Sequence, residues 1–275
     1  MRGHIFLLTD FGYRDYYVAA MKAVILSIKP DAVIVDITHD VSPWNISEGG
    51  FILWQIIPYL PRNSIIVGVV DPGVGTDRRN IIIETENHFL VGPDNGLLYP
   101  AAYRDGLKRV FEINTKAHFY KHSISSTFHG RDIYAPTAAY LSKGVGVEEL
   151  GRLIDPNTVI SQAWPNPEEK RNGLIAYVIH IDRFGNIITN VPSILYDEIA
   201  DKIGSVEYCD KEIVVKKVTA FGEVKREELG ILIGSSGMLE IVSNMKSAAK
   251  ILGGVKPGDR IILRFRENLS GFLDG

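Results

Sequence analysis

Along the first half of the chain, short apolar runs alternate with stretches in which apolar side chains recur at helical spacing. His4 to Thr9 is the first run and predicts a strand. Tyr17, Met21, Val24, Ile25 and Ile28 then share one helical face, closed by Pro30. Ala32 to Ile37 predicts a second strand, Ser47 to Leu60 a second helix, and Ser64 to Val70 a third strand, apolar on both faces as buried parallel strands are. Ile81 to Glu84 and His88 to Val91 flank Thr85-Glu86-Asn87 as a hairpin, and Arg109 to Ile113 gives a further strand. Asp132 is expected to cap a helix reaching about Lys143, with Pro136 tolerated in its first turn. The alternation predicts an α/β domain, a mainly parallel sheet with covering helices.

The pattern changes after Asp155. The stretch from Asp155 to Gly173 holds three prolines and little periodicity, which reads as a linker. Beyond it, Leu174 to Ile181, Ser205 to Tyr208, Glu212 to Val218, Leu229 to Ile233, Met238 to Val242 and Arg260 to Phe265 are short strands between Gly, Asp and Asn turns, with one short helix near Met245 to Leu252. That is the signature of a small β-barrel or sandwich. The expected organisation is an amino-terminal domain at 1–160, a linker at 161–172 and a β domain at 173–275.

Composition narrows the function. With 275 residues, the chain is long enough for two domains, each with a core that needs no cross-links. Its single cysteine, Cys209, cannot form an internal disulfide or a thiolate cluster, which points to a reducing compartment such as the cytoplasm. Cys209 itself is expected in the core. No apolar run approaches the ~20 residues of a membrane helix, and the first apolar run is too short for a signal peptide. The net charge of −3 disfavours nonspecific binding to nucleic acid, which needs a clustered positive field. A small-molecule substrate is the default that remains.

In an open parallel sheet, ligands bind beyond the carboxyl ends of the strands. Here those ends are polar: Thr9-Asp10-Phe11-Gly12 after the first strand, Asp36 and Thr38-His39-Asp40 at the second, and Asp71-Pro72-Gly73-Val74-Gly75-Thr76-Asp77-Arg78-Arg79 after the third. Any one such Asp reads most simply as a cap or an Asx turn. Three converging on one edge suggest a site, and Asp10 has the two acceptor oxygens that match a ribose diol. The third strand's glycines lack a P-loop lysine, so phosphate cradling is disfavoured. Thr127-Phe128-His129-Gly130-Arg131-Asp132 brings a His, an Arg and an Asp together before a helix; His129 is either a capping residue or a proton-transfer group. Asp182-Arg183-Phe184-Gly185-Asn186 reads as a hairpin turn, and Gly234-Ser235-Ser236-Gly237 as a loop whose backbone amides can hold a carboxylate. Trp44 is placed either to stack on a base or to pack in a core or interface.

Taken in order, T-D-F-G at Thr9, D-P-G-V-G-T followed by Arg78, F-H-G-R-D at Phe128, D-R-F-G-N-I-I-T-N at Asp182 and G-S-S-G at Gly234 resemble the S-adenosyl-L-methionine (SAM) hydroxide adenosyltransferase family. That family is related to the SAM-dependent chlorinases and fluorinases, and the motifs span nearly the whole chain. The resemblance implies an α/β domain joined to a β-barrel, and a homotrimer whose sites lie between one subunit's first domain and its neighbour's second. It further implies hydrolysis of SAM to adenosine and L-methionine by attack of water on C5′, with no metal or other cofactor. Asp10 would hold the ribose hydroxyls, Asp15 and Asp182 would lie near the methionine amine, Phe184 and Asn186 would meet the adenine, and Trp44 and Phe128 would line the pocket. Ser235 and Met238 belong to the implied substrate contacts as well. Asp71, Arg78 and His129 match the triad that sets the hydrolase branch apart and handles the water. Where fluorinases place an Arg beside the carboxylate-binding Ser, this chain has Ser236, which leaves loop amides to hold the methionine carboxylate. The rival expectations are a metal-dependent nucleoside hydrolase, using Asp10, Asp36, Asp71 and His39 or His129 as ligands, and a noncatalytic SAM or adenosine sensor.

Overall fold

A computed structural model describes residues 3–114, 124–161 and 164–266. The chain separates into two compact units, Met1–Ala163 and Trp164–Gly275. Positions 162 and 163 of the expected linker lie outside the described residues.

The first unit runs β1 (Ile5–Thr9), α1 (Tyr17–Ile28), β2 (Ile34–Thr38), α2 (Ile46–Ile56), β3 (Ile65–Val69), β4 (Asn80–Thr85), β5 (Phe89–Pro93), α3 (Tyr99–Arg104), β6 (Leu107–Ile113), α4 (Ala135–Lys143), α5 (Val147–Leu150) and β7 (Gly151–Ile154). These strands form one sheet in the order β2-β1-β3-β5-β4-β6-β7. The four strands from β2 to β5 are mutually parallel, and β4, β6 and β7 extend the sheet through antiparallel pairs. Alternation along β1 explains the layering. Ile5 and Leu7 face a core shared with α1 and α4, whereas Phe6 and Leu8 face a second core under α2 and α3. With both faces covered, the carboxyl ends of β1, β2 and β3 are the natural place for polar side chains to meet.

Two local expectations are corrected here. Asp132 does not cap a helix: it lies inside a π-helical turn, Gly130–Tyr134, that precedes α4. The cause is Pro136, which has no N–H and crowds the carbonyl four residues back, so the turn widens and Ala135 N–H reaches Gly130 O instead. Asp132 accepts instead from Ser125 N at 2.9 Å and from the Arg131 guanidinium. Cys209 is exposed rather than in the core, because it occupies a tight turn with φ of 53°.

The second unit runs β8 (Glu168–Lys170), β9 (Gly173–Ile181), β10 (Ile187–Pro192), α6 (Ser193–Ile199), β11 (Ile203–Tyr208), β12 (Lys211–Lys217), β13 (Leu229–Ile233), β14 (Met238–Val242), α7 (Ala248–Ile251) and β15 (Arg260–Phe265). The strand order β10-β14-β13-β12-β11-β15-β9 is closed by pairing of β10 with β9, which makes a barrel with β8 on its outside. Leu174, Ala176, Val178, Leu239 and Ile241 point into its core, with α6 and α7 packed at the ends. β8 falls within the stretch read as linker; Glu168-Glu169-Lys170 has no apolar alternation, and its pairing with β9 alone makes it a strand.

Candidate active site

The sequence-predicted residues gather at two places, one in each unit. In the first unit a cavity of about 250 Å³ opens at the carboxyl ends of β1 and β3, lined among others by Asp10, Trp44, Asp71, Phe128 and His129. Its apolar wall is an aromatic cluster: Phe11, Tyr17 and Phe128 pack with ring centroids 5.1 to 5.9 Å apart. Asp10 Oδ2 accepts from Trp44 N at 2.8 Å. Trp44 holds the left-handed φ of 63° that aims this N–H, and its side chain is left 73% exposed. A residue other than glycine in that region is strained, and such strain concentrates at functional sites. Burial raises the Asp10 carboxyl above its usual range, the Asp71 charge adds to this, and the Trp44 hydrogen bond opposes it.

Asp71, Arg78 and His129 form one connected group. Arg78 Nε donates to Asp71 Oδ1 at 2.7 Å while Nη2 donates to Asp71 Oδ2, a bidentate fork in which both side chains are buried. The same Nη2 lies 2.9 Å from His129 Nδ1. Arginine nitrogens only donate, so Nδ1 is the acceptor and the neutral ring carries its hydrogen on Nε2. Burial, then the Arg78 charge, depress the His129 pKa below the ordinary 6.5. Two buttresses escaped the sequence reading. Asn80 Oδ1 accepts from Arg78 Nη1 at 2.7 Å and from the Tyr134 hydroxyl at 2.6 Å. Neither residue stands in a recognisable motif position; only the fold brings the start of β4 and the π turn to Arg78.

Asp15 is exposed on the bend before α1 and does not line the cavity. Asp36 and His39, entertained as metal ligands, are engaged elsewhere. Lys22 Nζ and the Tyr13 hydroxyl donate to Asp36 Oδ2 at 2.6 and 2.8 Å. Buried His39 sits between Asp36 Oδ1, at 3.1 Å, and Thr9 Oγ1, at 2.8 Å. With the Asp71 oxygens held by Arg78, this donor set does not suit a cation, and no group of three or more His, Cys, Asp or Glu among the described residues is arranged to hold one.

In the second unit Asp182, Phe184 and Asn186 share one turn. Asp182 Oδ1 accepts from the backbone amides of Phe184 and Asn186 at 2.9 and 2.8 Å, and Oδ2 accepts from Asn186 Nδ2 at 2.8 Å. Most of its acceptor capacity is therefore used to shape the turn, which leaves the Phe184 ring 78% exposed. Phe184 and Asn186 line a cavity of about 600 Å³ with Phe221 and the segment Ser243 to Ser247. That segment went unremarked in the sequence, since Ser-Asn-Met-Lys-Ser has no pattern of its own. Ser235 and Met238 flank the β13–β14 turn, where Ser236 Oγ accepts from Met238 N at 3.2 Å.

A mixed sheet bearing an Asp–Arg–His group at its carboxyl edge, on a chain that also carries a β-barrel, defines a class that the comparisons identify. The family models described as the SAM hydroxide adenosyltransferase N-terminal and C-terminal domains match residues 5–151 and 176–262, and the chain belongs to that family. It is 41% identical to an (R)-S-adenosyl-L-methionine hydrolase of Methanocaldococcus jannaschii, over 90% of this chain and 91% of that one. A hydrolase of the same name from Salinispora tropica is 36% identical over 92% of this chain and 94% of its own. A fluorinase of Actinoplanes sp. is more distant, at 27% identity over 68% of this chain and 71% of that one. Among solved structures, an uncharacterized conserved protein from Thermotoga maritima matches with a TM-score of 0.83 and 37% identity, covering 94% of this chain and all of that one.

Proposed function

We propose that the protein hydrolyses (R)-S-adenosyl-L-methionine to adenosine and L-methionine. The observation that carries the reading is the Arg78 fork that ties Asp71 to His129 at the wall of a cavity also lined by Asp10. A sulfonium leaves as a neutral thioether, so the leaving group needs no acid. What the reaction requires is an oriented oxygen nucleophile opposite the sulfur.

His129 presents an N–H at Nε2, because Nδ1 is filled by Arg78. It therefore holds the water oxygen as a donor and does not act as its base. The Arg78 cation favours the hydroxide-like oxygen that forms, and the apolar ring cluster strengthens that field by excluding solvent. As the O–C5′ bond forms and C5′–S breaks with its electron pair going to sulfur, one proton leaves the water. Asp71 is the member of the group able to receive it, since each of its oxygens keeps a second lone pair. Asp10 takes the ribose hydroxyls, Trp44 and Phe128 cover the sugar, Phe184 and Asn186 meet the adenine, and Asp15, Asp182, Ser235 and Met238 lie toward the methionine end.

The active form is proposed to be a homotrimer that works in the cytoplasm and needs no metal or other cofactor. Incubation with SAM in oxygen-18 water tests the chemistry. Label in the 5′ hydroxyl of adenosine is expected; release of adenine, or unlabelled adenosine, would refute attack at C5′. Full activity after exhaustive chelation is the matching expectation for the absence of a metal.

A further inference from the structure

The Gly234–Gly237 turn was read as a receptor for a carboxylate, but a carboxylate already lies beneath it. Glu240, in the middle of β14, is only 8% exposed. Leu239 and Ile241 point into the barrel core, so Glu240 is on the other face with Met238. Its neighbours across the sheet are Leu232 on β13 and Ile188 on β10, and neither side chain has a hydrogen to donate. The side chain turns back to Gly234, where any Cβ would overlap both of its oxygens, at 1.8 and 2.7 Å. Gly234 is thus the space that admits the carboxylate. Ser236 Oγ donates to Glu240 Oε1 at 3.3 Å, a long hydrogen bond.

A carboxylate buried with so little donation is short of partners, and buried charges are ordinarily paired. Burial raises its pKa and the nearby charge of Asp182 adds to this, while the Ser236 hydrogen bond and the charge of His180, when protonated, oppose it. A second carboxylate brought to this turn by a ligand would meet like charge, whereas an ammonium brings the missing charge and three donors. We infer that Glu240 receives the α-ammonium of the methionyl arm, so that the Gly234–Gly237 turn recognises the amine of the substrate rather than its carboxylate. The inference rests on the proposed function, because it takes the ligand's methionyl arm from that reading. It also gives Ser236 a reason to be small and neutral: a cation there would occupy the ammonium's place.

The test compares SAM with an S-adenosyl sulfonium that keeps the carboxylate but lacks the α-amine, both as (R)-sulfonium epimers. Binding is measured by calorimetry, and turnover by adenosine release, for the wild type, Glu240→Gln and Glu240→Asp. The wild type is expected to bind SAM at least about tenfold more tightly than the deamino compound, the scale of one charge-assisted hydrogen bond. Glu240→Gln should lose that preference, mostly in KM, while binding the deamino compound as the wild type does. Glu240→Asp, which keeps the charge on a shorter arm, should recover part of it. Wild-type behaviour of Glu240→Gln on SAM would overturn the inference, because glutamine mimics a protonated glutamic acid that only supports the turn. Equal loss on both ligands would overturn it too, as a purely structural role. Should the wild type bind SAM without releasing adenosine, the hydrolase reading fails and the binding comparison still decides the role of Glu240.

Discussion

Arg78 reaches five acceptors from one guanidinium: both oxygens of Asp71, His129 Nδ1, Asn80 Oδ1 and the Arg79 carbonyl. Its removal withdraws the positive charge at the nucleophile and frees the imidazole. Arg78→Ala is expected to cut kcat by about 10²-fold or more, the scale of losing one preorganised electrostatic donor, while the Kd for SAM changes little. Equal loss of binding and turnover would argue against that division of labour. The pH dependence follows from the same contact. Neutral His129 accepts from Arg78, and its pKa is depressed by burial first and by the Arg78 charge second. The competent form therefore persists below the ordinary 6.5 and is lost only as pH falls through the depressed value. In Arg78→Gln the Arg78 charge goes while burial and the opposing charges of Asp71 and Asp132 stay, so the acid limb of residual kcat should move up in pH. The acid limb of KM, which the proposed ribose contact assigns to Asp10, should stay in place, because the groups that shift Asp10 do not include Arg78. At this scale the motifs stood out because charged and ring side chains gather directly after apolar strands. Asn80, Tyr134 and Glu240 did not, since an Asn at a strand start, a buried Tyr and one Glu in an apolar strand are ordinary until the fold shows what they touch.

Elements place these side chains through a few positions where an added side chain meets a neighbour. The loop from Asp71 to Arg79 turns at Gly75, with φ of 79°, where a Cβ would come within 2.3 Å of Ser126 O. Ser126 lies three residues before His129 and Gly75 three before Arg78, so this contact sets the approach of the segments that carry His129 and Arg78. Gly75→Ala should lower stability by about 1–3 kcal/mol, the cost of a disfavoured backbone region plus a displaced neighbour, and should also lower kcat. Thermal melting and steady-state kinetics on the purified variant measure the two effects; loss of stability with unchanged kcat would show that the loop repositions Arg78 without strain on the site. Strands with strong apolar character, such as β3, β13 and β14, were readable to within a residue or two. The π turn was not, because the sequence signal for a helix start, an Asp ahead of a proline, is the same for a cap and for a widened turn. β10 was hidden for a related reason: Thr189 and Asn190 look polar, yet both are buried, Thr189 Oγ1 donating to Leu239 O and Asn190 Oδ1 accepting from Tyr177 N.

At the scale of the molecule, the division into an α/β unit and a barrel was legible from the change in periodicity. Assembly was not, since periodicity reports the faces of elements and carries no information on it. Asp10, Asp71, Arg78 and His129 lie in one unit, while Phe184, Asn186 and Glu240 lie in the other. Exposed aromatic rings accompany both sets, Trp44, Tyr13 and Tyr16 in the first and Phe184 in the second, and apolar surface of this kind marks a place to be covered. If each site in a homotrimer takes its first set from one subunit and its second from the neighbour, two inactive variants should rescue each other. Arg78→Ala disables only the first set and Phe184→Ala only the second. In randomly assembled trimers of the two, about one quarter of the sites pair an intact first set with an intact second set. Co-expression followed by isolation of mixed trimers should therefore restore about one third of the wild-type adenosine release, since each mixed trimer holds one intact site of three, from two proteins that are each nearly inert alone. A site completed within one subunit would leave the mixture as inactive as its components, because each chain then carries its own defect into its own site.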